Sequence, residues 1–179
     1  MKRLFVFFAL LSCAAAAGAQ AAPAARRGSA SLTVGGTASI FDTDYGYKLA
    51  GGGLYVDYRR TRWIQIEGEA RWLTYNQTAG GLGSQSNYFV GLRVPIKRIG
   101  RFEPYGKVLG GLAHMNFPPG DYYSSGSFGT LAFGGGIDYR LTRRLSARAD
   151  FEYQDWPKFI PNQSLHPWGV SVGVGYRIF

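Results

Sequence analysis

The side chains of this 179-residue sequence that could do chemistry are two histidines, one cysteine, two glycine runs and a spread of charges. Acyl transfer or ester hydrolysis needs a nucleophile, a base and an orienting group within hydrogen-bond reach. His114 stands in His114-Met115-Asn116 and His166 in His166-Pro167-Trp168, and neither spacing supplies such a set. Two isolated histidines and the single Cys13 make no metal-ligand pattern. Gly51 to Gly53 and Gly134 to Gly136 lack the Lys-Ser/Thr ending of a phosphate loop, and serve instead to bend strands and allow close packing. The expectation is a chain that is not an enzyme and holds neither cofactor nor metal. The charges remain, and what they can do depends on the elements that carry them.

Those elements are strands. The composition is 46% hydrophobic and 16% aromatic but only 17% charged, with 26 glycines. This excludes a disordered chain and argues against a helical bundle. Residues 1–19 read as a cleaved secretory signal: Lys2 and Arg3, an apolar run from Leu4 to Leu11, then Ala17 and Ala19 at a small-x-small site. A rival reading makes Cys13 an acylated lipoprotein cysteine; otherwise Cys13 leaves with the signal. A short lead-in over 20–27 precedes one domain over 28–179. The longest uncharged stretch, Trp72 to Leu92, is too rich in Asn, Gln, Ser and Gly to be a spanning helix.

From residue 28 onward the hydrophobic pattern has period 2. Eight segments alternate, for example Leu32, Val34, Ala38 and Ile40 against Thr33, Gly35, Thr37 and Ser39. The last sets Trp168, Val170, Val172, Val174, Tyr176 and Ile178 against Gly169, Ser171, Gly173, Gly175 and Arg177. Short connections centre on 59–62, 96–101 and 140–144; long polar ones centre on 42–47, 75–86, 116–127 and 155–166. Tight turns at one end and loops at the other predict an all-β, eight-stranded, antiparallel up-and-down barrel. Eight strands of about ten residues also suit a membrane crossing. A soluble lipocalin-like carrier would place the apolar face inside. Here the polar face carries Gly, Ser, Thr and charges of both signs, which suits a narrow lumen, while Tyr58, Trp72, Tyr88, Tyr139, Tyr153, Trp168 and Tyr176 mark strand ends on the apolar face as interfacial girdles do. The lipid is therefore expected outside.

The whole domain resembles the small outer-membrane β-barrels of the OmpA/OmpX-like, opacity-porin type. Arg101-Phe-Glu-Pro-Tyr-Gly-Lys-Val-Leu-Gly-Gly is similar to that family's fifth strand, and Phe133-Gly-Gly-Gly-Ile-Asp-Tyr-Arg-Leu to its sixth strand and following turn. Gly173-Val-Gly-Tyr-Arg-Ile-Phe179 resembles its closing strand. The resemblance implies short periplasmic turns, longer extracellular loops, a monomer, a bacterial outer-membrane location, and a terminal signal read by the barrel-assembly machinery, carried here by Tyr176, Ile178 and Phe179. In the usual pattern the final aromatic is in phase with the outward row; here Ile178 holds that phase. With Phe179 as its end, the chain is expected to carry no cell-wall tether. Lipid A deacylases of the same architecture carry His-x-Ser on an outward strand, a pattern neither histidine matches.

Sorted by strand face, the inward positions hold the acids Asp57, Glu67, Glu69, Asp138, Asp150 and Glu152 and the bases Arg71, Arg93, Lys107, Arg148 and Arg177. Paired, they would plug the lumen and fix strand register; breakable, they would gate a narrow porin for ions or small solutes. The formal net charge of +9 resides mainly in the short turns, at Arg59, Arg60, Arg62, Lys97, Arg98, Arg101, Arg140, Arg143 and Arg144. A belt there would face anionic headgroups, each base contributing about 1 kcal/mol. No reading helix accompanies it, so no nucleic-acid partner is expected. Phe117, Tyr122, Tyr123, Trp156 and Phe159 are read as loop aromatics able to meet lipopolysaccharide or a surface or host ligand. The expected function is structural or surface interaction around a lumen closed by charge.

Overall fold

The computed structural model describes residues 30–44, 48–61, 63–77, 81–116, 125–160 and 163–179. The expected signal segment, the lead-in and Arg62 lie outside them. Among the described residues nine strands follow in order: β1 (Ser31–Asp42), β2 (Lys48–Arg59), β3 (Gln65–Gln77), β4 (Gly81–Pro95), β5 (Phe102–Asn116), β6 (Ser125–Arg140), β7 (Leu145–Ile160), β8 (Gln163–Leu165) and β9 (Trp168–Arg177). Each long strand pairs antiparallel with the next, and β9 closes on β1, with Thr33 opposite Arg177 and Asp42 opposite Trp168. The result is a closed eight-stranded barrel; β8 is a three-residue strand paired only with the outer end of β7.

Period-2 alternation works here as expected. Outward residues are exposed, Val172 at 63% and Val90 at 60%, whereas Glu67 and Glu152 are at 0%. A soluble carrier with an apolar interior is thereby ruled out. Aromatic side chains ring both ends of the apolar band. Trp72 packs edge-on against Tyr88, and its Nε1–H donates to the Tyr88 hydroxyl at 3.2 Å near the loop end. Phe102 and Tyr139 meet at 4.8 Å between ring centroids near the turn end. Among the described residues no helix is long and apolar enough to cross a membrane.

The turns are as short as the sequence implies. Ile99 and Phe102 exchange both backbone hydrogen bonds around Gly100-Arg101, with Gly100 at φ 62°. A positive φ at the first central residue is the glycine-requiring geometry of a type II′ hairpin. At the β6–β7 turn the Thr142 hydroxyl accepts from the Leu145 amide at 2.9 Å. The loops differ from expectation. Residues 75–77 and 81–86, read as loop, continue β3 and β4 in unbroken register from Trp72 opposite Ser86 to Gln77 opposite Gly81. The ends of β5, β6 and β7 likewise extend into segments read as loop. Outside lipid a strand has no need of an apolar face, so its hydrophobic alternation fades while its backbone ladder continues.

Glycines make the narrow lumen possible. The Tyr55 ring lies flat over Gly35 of the neighbouring strand, and its hydroxyl reaches Gly175 one strand further; a Cβ at either position would fall inside the tyrosine. Tyr105 covers Gly136 in the same way. The glycines thus provide places for large inward rings to lie down.

Candidate functional site

The lumen has two halves. Toward the loops it is filled by Phe41, Leu49 and Leu73, by Phe89, Leu109 and Ala132, and by Ala113, Met115, Trp156 and Leu165, all buried. Trp156, expected on a loop surface, is instead fully buried and stacked on Phe128 at 5.9 Å, its Nε1–H donating to Gln154 at 2.9 Å. Its inward position follows from phase: Glu152, Gln154 and Trp156 share one face of β7. Phe117, Tyr122 and Tyr123 lie outside the described residues. Phe159 continues the backbone of β7, and its side chain is outside the described set.

Below the apolar fill, charge takes over. Arg71 from β3 forks onto Glu152 of β7, with Nη1 2.9 Å from Oε1 and Nη2 3.3 Å from Oε2, and also pairs with Glu69. Lys107 of β5 sits among four carboxylates: Asp150 and Glu152 at 2.8 Å, Glu69 at 3.2 Å and Glu67 at 3.5 Å. One layer nearer the turns, Arg93 of β4 contacts Asp57 at 2.7 Å and Glu67 at 3.4 Å and pairs with Asp138. Arg148 of β7 contacts Asp138 at 3.0 Å and Glu67 at 3.2 Å and pairs with Asp57. Aromatic faces complete the coordination. The Arg93 guanidinium lies 3.5 Å from the Tyr105 ring centroid and Arg148 3.7 Å from that of Tyr55. The Tyr105 hydroxyl donates to Asp150 at 2.6 Å.

Ten of the eleven expected lumen charges therefore join one buried network spanning β2 to β7. Removing so many charges from water is costly unless each meets an opposite partner, and here every cation of the network meets at least two carboxylates. Arg177 is the exception. It stands at the turn-side mouth, and no carboxylate lies within ion-pair distance of it among the described residues. A charge missed in the sequence, Glu103, is buried there and pairs with Arg59 and Arg98. Those two arginines were expected to face headgroups; they fold inward over Glu103 instead. Glu103 shares the phase of Tyr105 and Lys107, so extending the β5 alternation by one step identifies it. Arg60, Lys97, Arg101, Arg143 and Arg144 are exposed and Arg140 is half-buried at the same end.

The histidines do acquire partners. On the outward face, His114 Nδ1 is 2.8 Å from the Ser127 hydroxyl and Nε2 is 3.2 Å from Asn116 Oδ1, whose amide donates to Ser84 at 3.2 Å. His166 Nδ1 lies 3.4 Å from Asp155. The first is a hydroxyl–imidazole–amide chain that bridges strands, with Ser127 directly opposite His114 in the ladder. No sequence motif announces it, because its members come from three strands.

A protein-family model described as outer membrane protein beta-barrel domain matches residues 6–177. A search of curated protein sequences returns no match. Among solved structures, neisserial surface protein A superposes with a TM-score of 0.66 at 13% identity, covering 82% of this chain and 96% of that one. Ail, the attachment invasion locus protein of Yersinia pestis, solved with the heparin analogue sucrose octasulfate, gives 0.56 at 18% identity over 83% and 97% of the two chains. OprG from Pseudomonas aeruginosa gives 0.55 at 15% identity over 84% and 97%. At such identities the likeness is one of fold.

Proposed function

The chain belongs to the outer membrane protein beta-barrel domain family, and from that premise we propose that it is a structural and surface-interaction barrel whose lumen is permanently closed. The observation that carries this reading is the continuous fill of the lumen: apolar side chains toward the loops, then a network in which Arg71, Arg93, Lys107 and Arg148 each bridge carboxylates from different strands. Such a network both excludes water and fixes strand register, since sliding one strand would separate several pairs at once.

The rest of the molecule fits the same role. The exposed bases of the short turns contact the anionic headgroups of the periplasmic leaflet, and the loop side meets lipopolysaccharide or a surface ligand. Tyr176, Ile178 and Phe179 are the segment offered to the assembly machinery; the Ile178 amide donates to Leu32 at 2.8 Å and Leu32 donates back to Phe179 at 3.3 Å, so the closing ladder runs to the last residue. The protein performs no catalysis in this reading. Ser127 and His114 sit on the convex exterior, flanked by Ser84, Ser86 and Gly129, small side chains that build no wall around a substrate.

The test is single-channel conductance of refolded protein in a planar bilayer, with folding checked by heat-modifiable gel migration. Silence from folded barrel is expected. Discrete current steps would overturn the closed lumen and favour a narrow gated passage. For the surface role, deleting residues 118–125 should lower attachment to a surface ligand while leaving folding intact; unaltered attachment counts against it.

A further inference from the structure

The positive charge that the network leaves over gathers around a cavity at the turn-side mouth. The cavity takes wall residues from the first and last strands of the barrel, Ser31 and Thr33 on β1 and Arg177 on β9, and has about 50 Å³ of water-accessible volume. By this measure a water needs roughly 10–15 Å³, so the cavity has room for about four waters, the size of one phosphate group. Among the described residues seven arginines line it against three acids. Two of those acids, Asp57 and Asp138, are already held from deeper in the lumen by Arg93 and Arg148. The third, Glu103, is shared by Arg59 and Arg98.

Arg101, Arg140, Arg143, Arg144 and Arg177 are left without a carboxylate within ion-pair distance among the described residues, Arg144 donating instead to the Tyr176 hydroxyl at 3.1 Å. Arg177 carries the argument furthest. Its Nε is buried and has no hydrogen-bond partner, and the charges acting on it come chiefly from Arg140, Arg59 and Arg98. A buried donor without an acceptor is unfavourable, and convergence of like charges adds to that cost. One group relieves both: an anion offering several oxygens in several directions. Guanidinium groups recognise phosphate through paired N–H donors in a fixed fork. A tetrahedral phosphate group directs its oxygens out of one plane, and so uses arginines arriving from β6, β9 and the β4–β5 turn better than a planar carboxylate would.

We propose that the turn-side mouth of the barrel is a binding site for a single phosphate group, with Arg177 and Arg140 as its principal donors. The group has two sources: soluble inorganic phosphate, or the headgroup of an anionic phospholipid in the leaflet that the short turns abut. Binding does not depend on whether the lumen conducts, because the site lies on the turn side of the charge network.

The experiment is calorimetric titration of inorganic phosphate, at low ionic strength, into refolded full-length barrel in nanodiscs of phosphatidylcholine. One saturable site is expected, with R140Q and R177Q each weakening it tenfold or more. K48Q, which removes one exposed charge at the opposite end, should leave it unchanged. R140Q keeps the test valid if R177Q, next to the terminal ladder, fails to refold. Repeating the titration in discs containing phosphatidylglycerol separates the sources. Loss of the phosphate heat in wild type there identifies the headgroup as the occupant, and retained heat identifies a soluble phosphate. Absence of saturable binding in phosphatidylcholine, or affinities equal in wild type and both arginine variants, overturns the proposal.

Discussion

The two halves of the lumen are filled to similar effect by opposite chemistry. Toward the loops, Leu73, Leu109 and Trp156 exclude water by apolar packing. Toward the turns, Glu67, Arg93 and Arg148, equally buried, do so with charge. Apolar packing is non-directional, so shifting a strand by one pair of residues exchanges one apolar neighbour for another at modest cost. The charge network tolerates no such shift, because Arg93 and Arg148 each require Asp57, Glu67 and Asp138, which come from three other strands. The lesson is a division of labour: the loop half contributes packing, and the turn half specifies which closed barrel forms.

That contrast can be broken most forcefully at Arg93. In R93Q, the carboxylates of Asp57, Glu67 and Asp138 lose a shared cation while remaining buried. Stripping one partner from a buried ion network costs about 3–5 kcal/mol. Urea unfolding in detergent micelles, followed by heat-modifiable migration, should show a loss of that size; a loss below about 1 kcal/mol would mean that the network does not hold the barrel. The matching change in the other half is Leu109→Ala, which leaves a cavity beside Phe89 and Ala132 and should cost about 2–4 kcal/mol in the same assay. The sharper discriminant is register. R93Q should yield a mixture of folded species on refolding, L109A a single weaker one; one species from both removes the distinction.

A third change probes the tyrosine that joins the halves to the wall. Gly35→Ala drives a methyl into the ring of Tyr55, so overpacking should cost about 1–3 kcal/mol. Combining G35A with Tyr55→Leu should recover part of that loss, because the obstructing ring is gone. If the double variant is weaker than the sum of the singles, Tyr55 stabilises through its face against Arg148 more than through its seat on Gly35.

How much of this was legible in the sequence differs between the halves for a physical reason. The barrel itself was legible, since eight runs of period 2 survive wherever one face must meet lipid and the other a lumen. The membership of the charge network was legible too, because Asp57, Glu67 and Lys107 sit on the polar phase of their strands. Their partners were not. Arg71 and Glu152 lie 81 residues apart, and only the stagger of the closed barrel brings them level. Trp156 and Glu103 each stand one step beyond the clearly alternating run of their strand, although both keep its phase. The strand extensions at 75–77 and 81–86 were hidden because Asn, Gln, Ser and Gly dominate them and the apolar alternation is lost. The chain of Ser127, His114 and Asn116 was hidden because register, which no single strand encodes, creates it.

The smallest expected effect lies where charge meets water. Arg98 pairs with Glu103, yet 37% of its side chain is exposed and Arg59 remains to hold the same carboxylate. Arg98→Gln should therefore cost under about 1 kcal/mol and the cost should shrink further as salt is raised, since exposed pairs are screened. The same substitution chemistry at Arg93, one layer deeper, should be nearly indifferent to salt. Parallel urea titrations of R98Q and R93Q at low and high ionic strength make the comparison quantitative. A salt-insensitive loss of several kcal/mol in R98Q would place the mouth within the rigid network. The unpaired arginines around it would then be a strained extension of the plug, and the boundary between a sealed lumen and an open mouth would lie at the turns themselves.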